Sequence, residues 1–240
     1  MRARASSSRA GMDATMDGAG GAGDEAGMKA ETPAETLWRL AVLLNRAAAR
    51  VDAAVAHLPP LLFLTDPERT PRPWTVAARL PAGAGVVHRG FGRPEARETA
   101  FRLREATSAA GVQLLIALDA DLAEAVGADG VHLPERALHL APALRHRAPD
   151  WLITGAVHPP ALPDGLVPLD AVLASPVFAA GEGSAARPRL DVAGLEQAIP
   201  RLGRPTYALG GVDARSANRL AGCGACGIAA VGAVFDAFGP

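Results

Sequence analysis

Asp121-Leu-Ala-Glu-Ala-Val-Gly-Ala-Asp-Gly-Val-His-Leu133 compresses the end of a helix, a glycine stop and the start of a buried strand into thirteen residues. Leu122, Ala125 and Val126 recur at helical spacing, Gly127 can take the left-handed conformation that closes a helix, and Gly130-Val-His-Leu133 is a short apolar run. The same order returns at Leu220-Ala-Gly-Cys-Gly-Ala-Cys-Gly-Ile-Ala-Ala-Val231, and Leu169-Asp-Ala-Val-Leu-Ala174 repeats the strand in a weaker form. Repeated helix–strand units predict a parallel sheet.

Outward from that stretch, eight apolar runs keep a steady spacing: Leu61–Thr65, Gly85–Arg89, Gln113–Ala117, Gly130–Leu133, Leu152–Ala156, Ala171–Ser175, Thr206–Leu209 and Gly227–Val231. Helical or connecting patterns separate them, best seen at Glu95–Ala110, Asp121–Val126, Leu138–Arg147, Val192–Ala198 and Ser216–Ala221. The pattern predicts the α/β class and a compact (β/α)8 TIM barrel over residues 61–240. A doubly wound open sheet is the competing arrangement, but no Gly-x-Gly-x-x-Gly follows the first run.

Upstream, residues 35–58 read as an amphipathic helix. Leu37, Leu40, Leu44, Val51 and Val55 fall mostly on one stripe, Thr32-Pro33 opens it, and Pro59-Pro60 stops it. Residues 1–34 are rich in Gly, Ala, Ser and Met without a hydrophobic period, and are expected to form a disordered tail.

The chain of 240 residues is 49% hydrophobic but only 4% aromatic, so its single core must be built from Ala, Val and Leu. Lys and Arg number 24 against 25 Asp and Glu, leaving no positive field to attract nucleic acid or an anionic membrane. No apolar run reaches the ~18 residues that span a bilayer. A cytoplasmic protein acting on a small molecule is expected, with neither nucleic-acid nor membrane partners and with homo-oligomer formation left open. Cys223 and Cys226 have C-x-x-C spacing, but Cys223 follows a helix end and Cys226 opens a strand, unlike a redox pair at a helix N-terminus.

In a barrel of this kind the chemistry gathers where strands end at the C-terminal face. Those ends hold Thr65 and Asp66, His88 and Arg89, His132 and Glu135, His158, Ser175, Gly210-Gly211, and Gly232-Ala233. The small residues after strands 7 and 8 let backbone amides approach an oxyanion, which suits a phosphate monoester. Arg89 is a candidate second anion anchor or a surface ion pair. His158 is positioned for proton transfer near neutral pH, and a loop hydrogen bond is its bland alternative. Asp119 and Asp121 read as helix caps.

From about Leu61 to Phe238 the chain resembles the thiamine phosphate synthase and thiazole tautomerase (TenI-like) superfamily. The likeness is carried by Leu64-Thr-Asp66, the 121–133 stretch, Ser175-Pro-Val-Phe178, Ala208-Leu-Gly-Gly-Val212 and Gly224-Ala-Cys-Gly-Ile-Ala-Ala-Val231. The resemblance implies a barrel that binds a thiazole phosphate, with or without a pyrimidine diphosphate. In the synthases Asn-Asp follows strand 3 and contacts magnesium and diphosphate, whereas Ala117-Leu118 stands here, and Ala137 takes the place of a second metal carboxylate. The Gln-x-Arg-Glu-Lys run after strand 2 is Val87-His-Arg-Gly-Phe91, and a Thr/Lys-bearing loop is replaced by residues 179–186. Arg187 and Arg189 could restore positive charge, and Asp119 or Asp121 could take over a metal. Three readings follow: a divergent transferase using magnesium, a metal-independent isomerase using His158, and a phospho-ligand binding protein. The candidate site residues are His158 as the catalytic group, with Arg89, Ser175, Gly210, Gly211, Gly232 and Ala233 for phosphate or substrate, and no assigned metal ligand.

Overall fold

The computed structural model describes residues 30–158, 168–179 and 188–240. Its strands are β1 (Leu61–Leu64), β2 (Gly85–His88), β3 (Gln113–Ala117), β4 (Gly130–Leu133), β5 (Leu152–Val157), β6 (Ala171–Ala174), β7 (Thr206–Leu209) and β8 (Gly227–Ala230). Each pairs in parallel with the next, and β8 returns to β1 through Leu62↔Ala229, so the eight strands close. The (β/α)8 architecture read from the spacing is the architecture observed.

The strands are short and apolar on both faces because both faces are covered. Leu62, Leu64, Val87, Leu115, Leu173, Tyr207 and Ala229 pack together inside the barrel. Phe63, Val86, Leu114, Ile116, Val131, Ile153, Val172 and Ile228 join the layer beneath the helices. Tyr207 fills the space that small side chains leave: it is fully buried and its hydroxyl donates to Pro59 O at 2.7 Å. Gly227 permits this, since a Cβ there would run into Pro60 O and come within 2.8 Å of the Tyr207 ring.

Seven α-helices follow in chain order: α1 (Pro33–Ala49), α2 (Pro73–Ala77), α3 (Ala96–Ala110), α4 (Ala120–Val126), α5 (Ala141–Arg147), α6 (Asp191–Leu202) and α7 (Gly232–Phe238), counted among the described residues. The expected helix at Ser216–Ala221 is a short 3-10 turn, Ala217–Leu220, and Leu138–Arg147 divides into a 3-10 turn (Glu135–Leu140) and α5. Two helices were not foreseen. One, α2, lies in a proline- and arginine-rich stretch with no visible period, and α7 starts at Gly232, which the sequence reading placed in a loop.

The N-terminal helix is shorter than residues 35–58. It ends at Ala49, Asp52 accepts from Ala54 N at 3.0 Å, and Ala53–His57 forms a separate 3-10 turn. Val51, assigned to the apolar stripe, is 92% exposed in that break, while Leu37, Ala41, Leu44 and Asn45 are the buried face. Asn45 Nδ2 donates to Val55 O, Leu58 O and Cys226 O, each at 3.2 Å, which ties helix, turn and barrel floor together. The start is a capping box: Thr32 Oγ1 accepts from Glu35 N and Glu35 Oε2 accepts from Thr32 N. Thr32→Ala should therefore cost ~1 kcal/mol and lower the melting temperature by ~2–4 °C, read by circular dichroism. The expected disordered tail falls on residues outside the described set, apart from its last few.

Candidate functional site

Burial marks one end of the barrel as the open one. The strand interiors are buried throughout, while Asp66, Arg89, Ala117, Ala156, His158, Ser175, Leu209, Val231, Gly232 and Ala233, at the C-terminal ends, are half-buried. Side chains alternate along each strand, so Ser175 continues the inward set of Ala171 and Leu173, while Ala117, Leu209 and Val231 pack on the inner cluster.

At the β1–β2 side, Asp66 Oδ1 accepts from the amides of Glu68 and Arg69, at 3.1 Å each, and holds the loop in a turn. Arg89 donates from Nε to Thr65 O at 2.7 Å, and its Nη2 lies 3.5 Å from Asp66 Oδ2. Burial lowers the pKa of Arg89, Asp66 works against that, and Arg69 adds a like charge. Arg89 is thus a partly buried mouth residue with a long, loose ion pair rather than a surface one. Arg69, which the sequence reading passed over, brings its guanidinium to 3.3 Å from where a Cβ on Gly232 would sit.

The three strand-end imidazoles have separate fates. His88 points away from the barrel axis and is buried, with Nε2 2.9 Å from Ala96 O and Nδ1 3.4 Å from Thr65 Oγ1. His132 is buried inside the barrel with Nδ1 2.9 Å from Thr154 Oγ1. Burial, and then the charge of Arg89, push its pKa down to about 3, so this ring stays neutral. His158, just past β5, is half-buried, and its Nδ1 lies 2.6 Å from Glu135 Oε2 at the start of the turn after β4. The sequence reading named both residues as strand-end groups but did not pair them.

The glycines after β7 have a tertiary reason that the sequence did not disclose. Val177 N donates to Leu209 O and Phe178 N to Gly210 O, so the loop leaving β6 lies directly on Gly210-Gly211. A Cβ on Gly210 would be 2.9 Å from Pro176 Cα, and one on Gly211 would be 2.5 Å from Ala179 O. Both residues also have positive φ, 93° and 68°. Their missing side chains are therefore needed for loop packing, whatever their amides bind. Among the described residues, the amides of Gly211, Gly232 and Ala233 donate to no protein acceptor.

Magnesium asks for several hard oxygens in a near-octahedral shell. Where the synthases keep Asn-Asp stand Ala117 and Leu118, and Leu118 takes a φ of 65°, a conformation that Asn or Asp holds more easily. Ala137 is buried in its turn. Asp119 Oδ1 caps α4 by accepting from Leu122 N at 2.8 Å, and Asp121 pairs with Arg147 at 2.6 Å on the surface. Neither is placed to take over a metal. No group of three or more His, Cys, Asp or Glu among the described residues could share an ion. Among the described residues, the two positions where the synthases keep metal carboxylates, Leu118 and Ala137, therefore supply magnesium no side-chain oxygen. Of the two arginines offered as replacements, Arg189 is exposed and Arg187 lies outside the described residues.

The cysteine pair is buried, and burial raises both thiol pKa values, which disfavours the thiolate that redox or metal chemistry needs. A cleft of about 230 Å³ opens between the loops after β1 and β2, lined by Asp66, Trp74, His88, Arg89, Arg93 and Arg102 among others. It adjoins the barrel mouth through Asp66 and Arg89 but does not contain His158. No helix among the described residues is long and apolar enough to cross a membrane.

The family profile and the sequence relatives point to one family. The thiamine monophosphate synthase family profile matches residues 61–234, from β1 into α7. Thiamine-phosphate synthase of Methanoculleus marisnigri is 34% identical over 170 residues, covering 68% of this chain and 81% of that protein. The protein of the same name from Chlamydia caviae is 28% identical over 192 residues, covering 75% and 89%. Among solved structures, a thiamine phosphate pyrophosphorylase from Pyrococcus furiosus superposes with a TM-score of 0.61 at 24% identity, over 74% of this chain and 91% of that one. That superposition speaks to the fold; the profile and the sequence relatives carry the assignment further, and this chain belongs to the thiamine monophosphate synthase family.

Proposed function

We propose that this barrel binds a thiazole phosphate at its C-terminal mouth and moves a proton on it without a metal, with His158 as acid and base. The observation that carries the reading is His158 itself: a half-buried imidazole at the end of β5, its Nδ1 engaged, in a barrel where Leu118 and Ala137, at the positions of the synthases' metal carboxylates, carry no side-chain oxygen. Proton transfer from carbon requires a positioned base and little else, whereas departure of a diphosphate calls for a cation to take up its charge. The phosphate falls to the free amides of Gly211, Gly232 and Ala233, with Arg69 and Arg89 supplying positive charge and Ser175 a hydroxyl. Thiazole phosphate should accordingly bind far more tightly than the dephosphorylated alcohol in calorimetry; equal affinities would overturn the phosphate assignment.

The second reading is a transferase that joins a pyrimidine diphosphate to the thiazole phosphate, favoured by the names of the sequence relatives. A single set of assays separates the two: thiazole phosphate with and without pyrimidine diphosphate, each with magnesium or a chelator. The isomerase reading expects solvent hydrogen to exchange into the thiazole in the presence of chelator. Condensation at an enzyme-like rate, abolished by chelation, would return the protein to the transferase class.

A further inference from the structure

We infer that Glu135 is a positioning residue for His158: its carboxylate holds the neutral imidazole as the Nδ1–H tautomer, so that Nε2 presents its lone pair to the substrate. The inference rests on the proposed proton transfer for its purpose but on geometry for its content. Glu135 Oε2 lies 2.6 Å from His158 Nδ1, a short hydrogen bond of the kind a carboxylate acceptor makes. A carboxylate can only accept, so the hydrogen between them belongs to Nδ1, and the other ring nitrogen is left unprotonated. Imidazole left to itself prefers the opposite tautomer, with the hydrogen on Nε2, which would offer the substrate a donor in place of a base.

The pair is built by the barrel rather than by local sequence. Leu133 of β4 lies opposite Gly155 of β5 in the parallel register, so the residues two or three beyond each, Glu135 and His158, emerge side by side at the mouth. Pro134, with a φ of −64°, directs the chain into the 3-10 turn that begins at Glu135. Both side chains keep access to solvent, at 25% for His158 and 36% for Glu135, so the ring can exchange protons with water between turnovers.

The other two imidazoles at this end lack such a partner. His132 faces the hydroxyl of Thr154, which can donate or accept and therefore leaves the tautomer open, and burial keeps its ring neutral. His88 is turned outward onto Ala96 O. In the reaction assigned to the pair, the C–H bond of an acidic ring position breaks, its electrons stay in the heterocycle, and the proton goes to Nε2. The imidazolium then donates through Nδ1 to Glu135, and Nε2 returns a proton to a second ring position. Substrate and product have the same composition, and no oxidant, reductant or co-reactant is consumed.

The test uses the full chain with 15N-labelled histidine, the His158 signals being identified by their loss in His158→Ala. Two-bond 1H–15N spectra above neutral pH should show the Nδ1–H form in the unaltered protein and a shift towards Nε2–H in Glu135→Leu. Glu135→Gln retains an acceptor oxygen of the same reach and should keep much of the Nδ1–H form. In parallel, hydrogen exchange into thiazole phosphate is followed in deuterated water. Glu135→Leu should lose ~10-fold or more in kcat with KM within ~3-fold, and Glu135→Gln should recover part of that loss. An unchanged tautomer in Glu135→Leu overturns the inference, as does a raised KM with kcat intact, which would make Glu135 a substrate contact. If the unaltered protein exchanges no hydrogen into thiazole phosphate while the tautomer still depends on Glu135, the positioning role is supported and the proposed activity alone fails.

Discussion

His158→Ala is expected to leave thiazole phosphate affinity within a few fold and to lower turnover by ~10² or more, the usual worth of a positioned proton shuttle. The split follows from where the residue sits. The phosphate contacts assigned above lie at the ends of β2, β6, β7 and β8 and in the loop after β1, and none of them uses the ring of His158. Calorimetry with thiazole phosphate and a deuterium-exchange rate, measured on one preparation, read the two quantities separately. Affinity lost with turnover intact would make His158 a binding residue. Both unchanged would remove it from the reaction, and His132 could not replace it, because protonating that ring would bury a charge with no counter-ion.

Gly211→Ala should destabilise the fold, whereas Gly232→Ala should not. The first places a Cβ 2.5 Å from Ala179 O and 2.7 Å from Phe178 C, on backbone that has no side-chain freedom to give way, at a φ of 68°. The strained conformation alone costs ~1–2 kcal/mol, and displacing the β6 loop adds to it. A drop of ~4 °C or more in melting temperature follows for a domain of this size. Gly232 has ordinary backbone, and the one neighbour its Cβ would meet is the end of Arg69, Nη2, at 3.3 Å, which can swing aside. Gly232→Ala should therefore melt within ~1–2 °C of the unaltered protein while weakening phosphate binding by crowding the amides. If Gly211→Ala melts normally, the contact between the β6 loop and the β7 glycines is looser than these distances require. If Gly232→Ala binds phosphate unchanged, the amides after β8 are not its site. The pair also shows why Gly211 is a poor reporter on phosphate: loss of binding there would follow from loop damage alone.

The barrel could be read from one dimension because its signals are local. Each strand is a short apolar run, each helix end carries a glycine or a turn, and the order repeats, so Gly127 and Gly203 close their helices at positive φ where a helix stop is needed. Where periodicity is weak, sequence pattern and structure part. Val51 looked like part of a stripe until Asp52 broke the helix, and α2 had no apolar period to announce it. Strand ends, and with them the candidate site, were legible for the same reason as the strands.

What those residues do to one another was not legible. Gly210-Gly211 suggested an oxyanion site by position, but their contact with the β6 loop depends on which backbone is laid over them. Arg69 lies far from Gly232 in the chain and meets it only where β8 closes against β1. Glu135 and His158 are 23 residues apart, each unremarkable in its own turn, and they become a hydrogen-bonded pair only because β4 and β5 run parallel in one register. Hydrophobic period and backbone conformation act between near neighbours in sequence, so the chain displays them directly. Hydrogen bonds between side chains at separate strand ends are created by the pairing of strands and the closure of the sheet, which no local pattern encodes.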